Sequence, residues 1–256
     1  MFNHAIVRPP GPRFAEGLTT ANLGPPIPER ALNQHDRYCR ALEQCGLNIV
    51  RLEADARHPD STFVEDTAIL TKKRAILSRP GAPSRQGEVE SVRETLARFF
   101  RSIETIVPPG TLDGGDILEI GDHFFIGISE RTNEDGGRQL SEILARDGYS
   151  SSFIDIRETP GILHLKSGVA WLGAQQLAVI DPLADQESFR AYDVVRVESG
   201  EEYAANCVRV NTSLLFAAGY PRLERKLQTM GYDVITLDMS EFRKMDGGLS
   251  CLSLRF

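Results

Sequence analysis

Short apolar runs alternate with amphipathic stretches along the whole chain, and the alternation repeats five times. Each unit reads as a strand or hairpin, then a helix, then a strand. In the first, His4-Ala5-Ile6-Val7 forms a strand. Leu32, Tyr38, Cys39, Leu42 and Cys45 then share one side at helical spacing over 28–46. Residues 47–52 alternate as a strand again. In the second unit, 67–70 and 74–77 pair across a basic turn, and Val89, Val92, Leu96 and Phe99 mark a helix that 103–107 follows as a strand. In the third, 116–120 and 123–127 flank Gly121-Asp122, a hairpin signal. Leu140, Ile143 and Leu144 mark the next helix, and 152–156 the next strand.

The fourth unit has 169–172 and 177–180 around a Gly173 turn, a weak helix near 183–190, and a strand over 193–197. The fifth has 207–210 and 213–216 as a hairpin, Leu223, Leu227 and Met230 on a helix, and a strand over 233–237. The tail, 249–256, reads as a last strand standing apart from the fifth unit. Repeats of this length suggest radial repetition, with the last strand closing the ring on the first unit. A generic α/β protein with a parallel sheet is the alternative.

Composition narrows the class. The chain has 256 residues, 41% hydrophobic and 25% charged, near the upper size for a single core. We expect one domain over 1–256. No apolar run is long enough to span a membrane, and the first residues lack a signal-peptide layout, so a cytoplasmic protein is expected. The net charge of −7 disfavours nucleic acid as a partner and suits a cationic ligand. Solubility explains the charge equally well.

The four cysteines, Cys39, Cys45, Cys207 and Cys251, form no CxxC pair, so no thiolate metal site is expected. The first three read as core filler. Cys251 differs, because it follows Gly247-Gly248, a pair that lets backbone approach a ligand. Of five histidines, His164 lies between leucines just before a strand and is the candidate proton carrier. Acids cluster in Asp60-Ser61-Thr62-Phe63-Val64-Glu65-Asp66 and Asp113-Gly114-Gly115-Asp116. Turns account for such clusters; so does a site for a planar guanidinium, which pairs bidentately with carboxylates.

Six motifs in fixed order extend this reading. They are Phe63-Val64-Glu65-Asp66, Thr111-Leu112-Asp113-Gly114-Gly115-Asp116, Arg131-Thr132-Asn133, Leu163-His164-Leu165-Lys166, Tyr203-Ala204-Ala205-Asn206-Cys207 and Asp246-Gly247-Gly248-Leu249-Ser250-Cys251. Together they make the chain resemble, over essentially its full length, the dimethylarginine dimethylaminohydrolases of the guanidino-group modifying superfamily. The resemblance implies a five-bladed α/β propeller, the pentein fold, with five pseudo-repeats around a central channel. It implies hydrolysis of Nω-methylated arginine, dimethylated or monomethylated, to citrulline and the corresponding methylamine. The partner is then a small molecule, with no cofactor or metal, and the protein a monomer or homodimer.

Site roles follow from the same resemblance. Cys251 takes the nucleophile's place and forms a covalent thiouronium intermediate. His164 takes that of the general acid and base, and Asp113 that of the acid orienting histidine or substrate. Glu65 and Asp66 match the guanidinium-site acids. Asp60 and the Leu18 backbone match contacts to the substrate α-amino group, and Arg85 and Arg131 the clamp on its carboxylate. Met245 and Ser250 flank the site, Met245 where relatives often carry Ile or Val. Residues 15–20 resemble a lid with Gly17 as hinge. A cation bound beside Cys251 should make its ionisation substrate-dependent.

Three rival readings are weighed. Arginine deiminase, agmatine deiminase and amidinotransferase share this logic but usually carry insertions, and the Arg85–Arg131 pair points to a free amino acid, not agmatine. A non-catalytic propeller, like the ribosome-associated factors of this fold, would not need all three catalytic residue types. A cysteine protease would carry local signatures that are absent here.

Overall fold

The computed structural model describes all 256 residues and arranges its strands as five three-stranded sheets. The first holds β1 (His4–Val7), β2 (Asn48–Arg51) and β15 (Leu254–Arg255). The second holds β3 (Ala68–Leu70), β4 (Ala75–Leu77) and β5 (Ile103–Thr105), and the third β6 (Ile117–Ile120), β7 (His123–Ile128) and β8 (Ser150–Asp155). The fourth holds β9 (Val169–Gly173), β10 (Gln176–Ile180) and β11 (Asp193–Val197), and the fifth β12 (Val208–Val210), β13 (Ser213–Ala217) and β14 (Asp233–Leu237). Every middle strand runs antiparallel to one neighbour and parallel to the other.

Parallel neighbours need a crossover, which sets where the helices fall. α1 (Pro28–Gln44), α2 (Val89–Leu96) and α3 (Glu134–Arg146) connect the parallel strands of the first three sheets. A short α4 (Leu165–Gly168) leads into β9, and α5 (Pro221–Thr229) connects β13 to β14. Proline at the first position starts α1 and α5. The Asn133 side chain caps α3 by accepting from Gly136 N–H at 2.8 Å. The fourth crossover has only two 3-10 turns, Asp181–Leu183 and Glu187–Phe189, where the sequence promised no more than a weak helix.

The ring closes as expected. β15, last in the chain, pairs antiparallel with β1, Ile6 opposite Leu254. The tail is not all strand, however. Ser250–Leu252 is a 3-10 turn, so Cys251 sits on a bend ahead of β15 and not within a strand. Three apolar positions also miss the core. Leu32 is 45% exposed, Phe99 37% and Met230 39%. On α1 the buried face instead includes Gln34 and His35, because Gln34 bonds both the Ser240 hydroxyl and the Glu241 N–H. α2 ends at Leu96 and α5 at Thr229, which leaves Phe99 and Met230 beyond their helices. No helix is long and apolar enough to cross a membrane.

The closure has a testable energetic consequence. Leu254 packs with Ile6, Val64, Ala68 and Leu77, joining the first sheet to the second. Leu254→Ala should cost about 2–5 kcal/mol in urea unfolding. A loss under about 1 kcal/mol would show that the last strand contributes little to the ring.

Candidate active site

The fivefold plan brings the candidate residues together. In each blade, the turn just ahead of the innermost strand lies at the same end of the ring. The turn Val64–Thr67 before β3 carries Glu65 and Asp66. Asp113 leads the turn Gly114–Asp116 before β6. His164 leads α4 before β9. Asn206 ends the turn Glu202–Ala205 before β12, and Cys251 sits in the turn before β15. Residues almost 190 positions apart thereby touch: the Ser250 hydroxyl donates to Glu65 at 2.7 Å, across a separation of 185.

His164 is buried, and its Nε2 lies 3.0 Å from Asp113 Oδ2. The other Asp113 oxygen accepts from Gly81 N–H at 2.8 Å. Asp66 sits alongside, accepting from Gly115 N–H at 2.9 Å and from Arg85 Nη1 at 2.7 Å. A Cβ on Gly115 would lie 2.7 Å from His164 Nδ1 and 2.8 Å from Asp66 Oδ1, so only glycine admits both groups. Burial alone would pull the imidazole down, but Asp66, Asp116 and Asp113 hold it up to about 9 from an ordinary 6.5. Burial would likewise push Asp66 up, yet His164 and Arg85 hold it down to about 2. At neutral pH, then, His164 is an imidazolium and Asp66 a carboxylate. Atoms of Asp66, Asp113 and His164 lie within 4.8 Å of one another. That spacing could suit a metal, but the positive partner there is already the imidazolium, backed by Arg85.

Cys251 keeps part of its surface open, and its Sγ accepts from Gly248 N–H at 3.4 Å. Burial, followed by the Glu65 and Asp66 carboxylates, pushes its thiol up to about 12 from an ordinary 9. Glu65 itself accepts from Lys166 Nζ at 2.7 Å, Arg255 Nη2 at 3.2 Å and Ser250 Oγ. It therefore forms a bonded floor beneath the sulfur. Ser250 faces that floor and does not point toward the opening. The glycine pair has a different use from the one expected: a Cβ on Gly247 would meet Phe63 at 2.2 Å, and one on Gly248 would meet Asn206 at 2.4 Å. The glycines admit protein side chains.

The remaining candidates rim the site. Leu18 N–H donates to both Asp60 oxygens, at 3.0 and 3.2 Å, and the Leu18 side chain is exposed. Gly17 has an extended backbone with φ −67°. Its lack of a side chain is required because a Cβ would meet Asp60 Oδ1 at 2.3 Å and Met245 Cε at 3.2 Å. Close packing, and not a hinge conformation, accounts for glycine here. The segment is tied down by Thr19 Oγ1 donating to Lys244 O and Thr20 N–H donating to Asp246. Met245 is buried beneath it. Arg85 is buried and donates to Asp66, to Glu88 and to the carbonyls of Phe63 and Asp60. Arg131 is half-buried, its side chain makes no hydrogen bond, and it lies close enough to Asp60 to favour that carboxylate's charge.

Two residues that the sequence motifs contained, but to which no role was assigned, hold the arrangement. Asp116 is fully buried and accepts from Leu165 N–H at 2.9 Å, Ser129 Oγ at 2.6 Å and Thr132 Oγ1 at 2.7 Å. Thr132 Oγ1 in turn accepts from Asp113 N–H at 3.0 Å. One carboxylate thus fixes the backbone beside His164 and, through Thr132, that of Asp113. Asn206 donates to Lys166 O at 2.9 Å and accepts from Ser250 N–H at 2.9 Å, joining the histidine segment to the cysteine turn. The clues were the Asp in Gly-Gly-Asp and the Asn before Cys207, each readable from the sequence as a turn residue.

Comparison with known proteins agrees with this architecture. An arginine deiminase family model matches residues 55–218. The N(G),N(G)-dimethylarginine dimethylaminohydrolase of Pseudomonas aeruginosa is 45% identical over 257 residues, covering 100% of both chains. The chain belongs to the dimethylarginine dimethylaminohydrolase family. A Streptomyces coelicolor member is 37% identical and covers 98% of this chain and 96% of its own. A crystal structure of the P. aeruginosa family member complexed with citrulline superposes with a TM-score of 0.97 at 44% identity, covering both chains completely. The N-terminal domain of the arginine dihydrolase ArgZ, at 19% identity and a TM-score of 0.81 over 98% and 97% of the two chains, shares the fold.

The family site's charge pattern fixes how stability should depend on pH. His164 is raised on folding, so its contribution is complete below 6.5 and is lost as pH rises through about 9. The stability gap between wild type and His164→Gln should narrow across that window. Histidine NMR should place the His164 titration near 9, whereas a midpoint at or below 6.5 would contradict the assignment.

Proposed function

We propose that this chain hydrolyses Nω-methylated arginine to citrulline and methylamine or dimethylamine, with Cys251 as nucleophile, His164 as general acid and base, and Asp113 orienting the imidazole. The observation that carries the reading is the convergence on Asp66 and Glu65: His164 bonds Asp113 beside Asp66, Ser250 next to Cys251 bonds Glu65, and Asp66 acts on both the imidazole and the thiol. A bound guanidinium would bring a positive charge beside the sulfur, next to carboxylates that otherwise meet Arg85, His164, Lys166 and Arg255. Its arrival favours the thiolate, because Cys251 is held neutral in part by these same carboxylates.

The steps balance as follows. The thiol proton leaves to solvent as the cation binds, since His164 already carries its own proton. The sulfur attacks the guanidinium carbon and forms a C–S bond. The His164 imidazolium gives its proton to the departing amine, and the C–N bond breaks to leave a thiouronium on Cys251. The now neutral imidazole takes a proton from water. The resulting hydroxide adds to the same carbon, the C–S bond breaks with its electron pair returning to sulfur, and the added hydroxyl gives up its proton to restore the neutral thiol as citrulline leaves. No metal or organic cofactor enters these steps.

Asp66 and Glu65 are the acids of the guanidinium end, with Ser250 supporting Glu65 and Met245 walling the pit. Asp60 and the Leu18 backbone suit the α-amino group. Arg131, free of internal partners, suits the α-carboxylate best. Arg85 backs the same end, though its donors are largely engaged by Asp66 and Glu88. We place the protein in the cytoplasm as one catalytic domain over 1–256, a monomer or homodimer acting on a small molecule. Its four free thiols suit a reducing compartment.

Citrulline formation from arginine, monomethylarginine and dimethylarginine tests the proposal. Turnover of the methylated substrates is expected, with Cys251→Ser lowering kcat by ~10^3-fold or more. Comparable turnover by Cys251→Ser, or activity confined to unmethylated arginine, would overturn it.

A further inference from the structure

A large cavity lies apart from Cys251 and His164, neither of which lines it. It is a chamber of about 900 Å³ at the opposite side of the Glu65 floor, walled by the innermost strands β3, β6, β9, β12 and β15. Its volume is within the range of small-molecule sites. Lys166 and Arg255 reach up from it to Glu65, so the floor is a layer of paired charges between two compartments.

The chamber's charge runs against that of the protein. Six Lys and Arg side chains line it against two carboxylates, Glu65 and Glu119, in a chain of net charge −7. Glu65 is already matched by Lys166 and Arg255. Of the remaining cations, Lys72 and Arg101 make no ion pair, and Arg209 lies 6.0 Å over the Trp171 ring. Burial pushes Glu119 up to about 7 against the pull of Lys72 and Lys166, so it offsets only part of this positive potential. The lining is also aromatic. Phe99 and Phe100 pack on Phe256 at 5.1 and 5.2 Å, Trp171 lines the same chamber from β9, and Phe99 is exposed.

We propose that this chamber binds an amphiphilic anion, a small molecule with an acidic head and an aromatic or aliphatic body. The body fills the aromatic wall, and the head meets Lys72, Arg101 and Arg209. A cationic substrate of the Cys251 pit would be repelled here, so the two compartments select opposite charges. The pairing of Lys166 and Arg255 with Glu65 keeps the occupant apart from the sulfur.

Trp171 is the chain's sole tryptophan and lines the chamber, which makes it an internal reporter. Anilinonaphthalene sulfonate serves as the probe. It should bind saturably with one site, quench Trp171 by energy transfer, and stay bound in saturating citrulline. The double variant Lys72→Glu/Arg101→Glu should weaken its Kd at least ~10-fold while turnover of methylated arginine is unchanged. Trp171→Phe should abolish the transfer and retain the dye's own fluorescence titration. Unchanged affinity in the double variant, displacement by citrulline, or no saturable Trp171 signal would each overturn the proposal.

Discussion

A single buried imidazole surrounded by carboxylates governs the rest of this site. Burial disfavours every charge in it, yet Asp66, Asp113 and His164 are all packed out of water. They persist there because each is bonded. Asp113 meets His164 and Gly81 N–H, and Asp66 meets Gly115 N–H and Arg85. Removing one partner would leave a buried charge unmatched, which costs about 3–5 kcal/mol. The same bonds impose a chemical state. They raise the histidine and leave Cys251 among negative neighbours, so the free protein favours a charged imidazole and a neutral thiol. In the proposed reaction, the thiolate forms only when a cation binds beside Cys251.

The propeller makes this possible by repetition. One structural position, the turn ahead of each innermost strand, supplies acid, histidine, asparagine and cysteine from four blades and two adjacent acids from a single turn. The blades need not resemble one another in sequence, because each turn contributes only what its place on the ring requires. Closure by β15 against β1 then holds Cys251 against Glu65. The central channel is divided by the Glu65–Lys166–Arg255 layer, giving an acidic pit on one side and a basic chamber on the other.

Much of the fold was legible in the sequence because strand and helix periods are local. Strands 4–7, 193–197 and 233–237 occur where alternation placed them. The ring's closure was readable because the last strand had no partner in its own unit. Leu32 misled because apolar periodicity cannot show that Gln34 has buried partners in a distant segment. Cys251 was visible as chemistry but misplaced in a strand, since 3-10 turns leave little periodic trace. Asp116 and Asn206 stood in named motifs, but their roles escaped notice for a related reason. Their partners lie 49 and 44 positions away, and a polar residue near a turn gives no sign of which distant backbone it will hold. The glycines show the same limit. Their type was readable, but that Gly115 admits an imidazole and Gly17 a carboxylate depends on packing alone.

The central claim is that the free site holds a protonated histidine beside a neutral cysteine, and that the substrate's charge changes this. Thiolate absorbance, taken as the difference between wild type and Cys251→Ser across pH, tests it most directly. No Cys251 thiolate should appear at neutral pH in the free protein, with titration only above the ordinary thiol value of 9. A thiolate already formed at neutral pH, without any bound cation, would contradict the account.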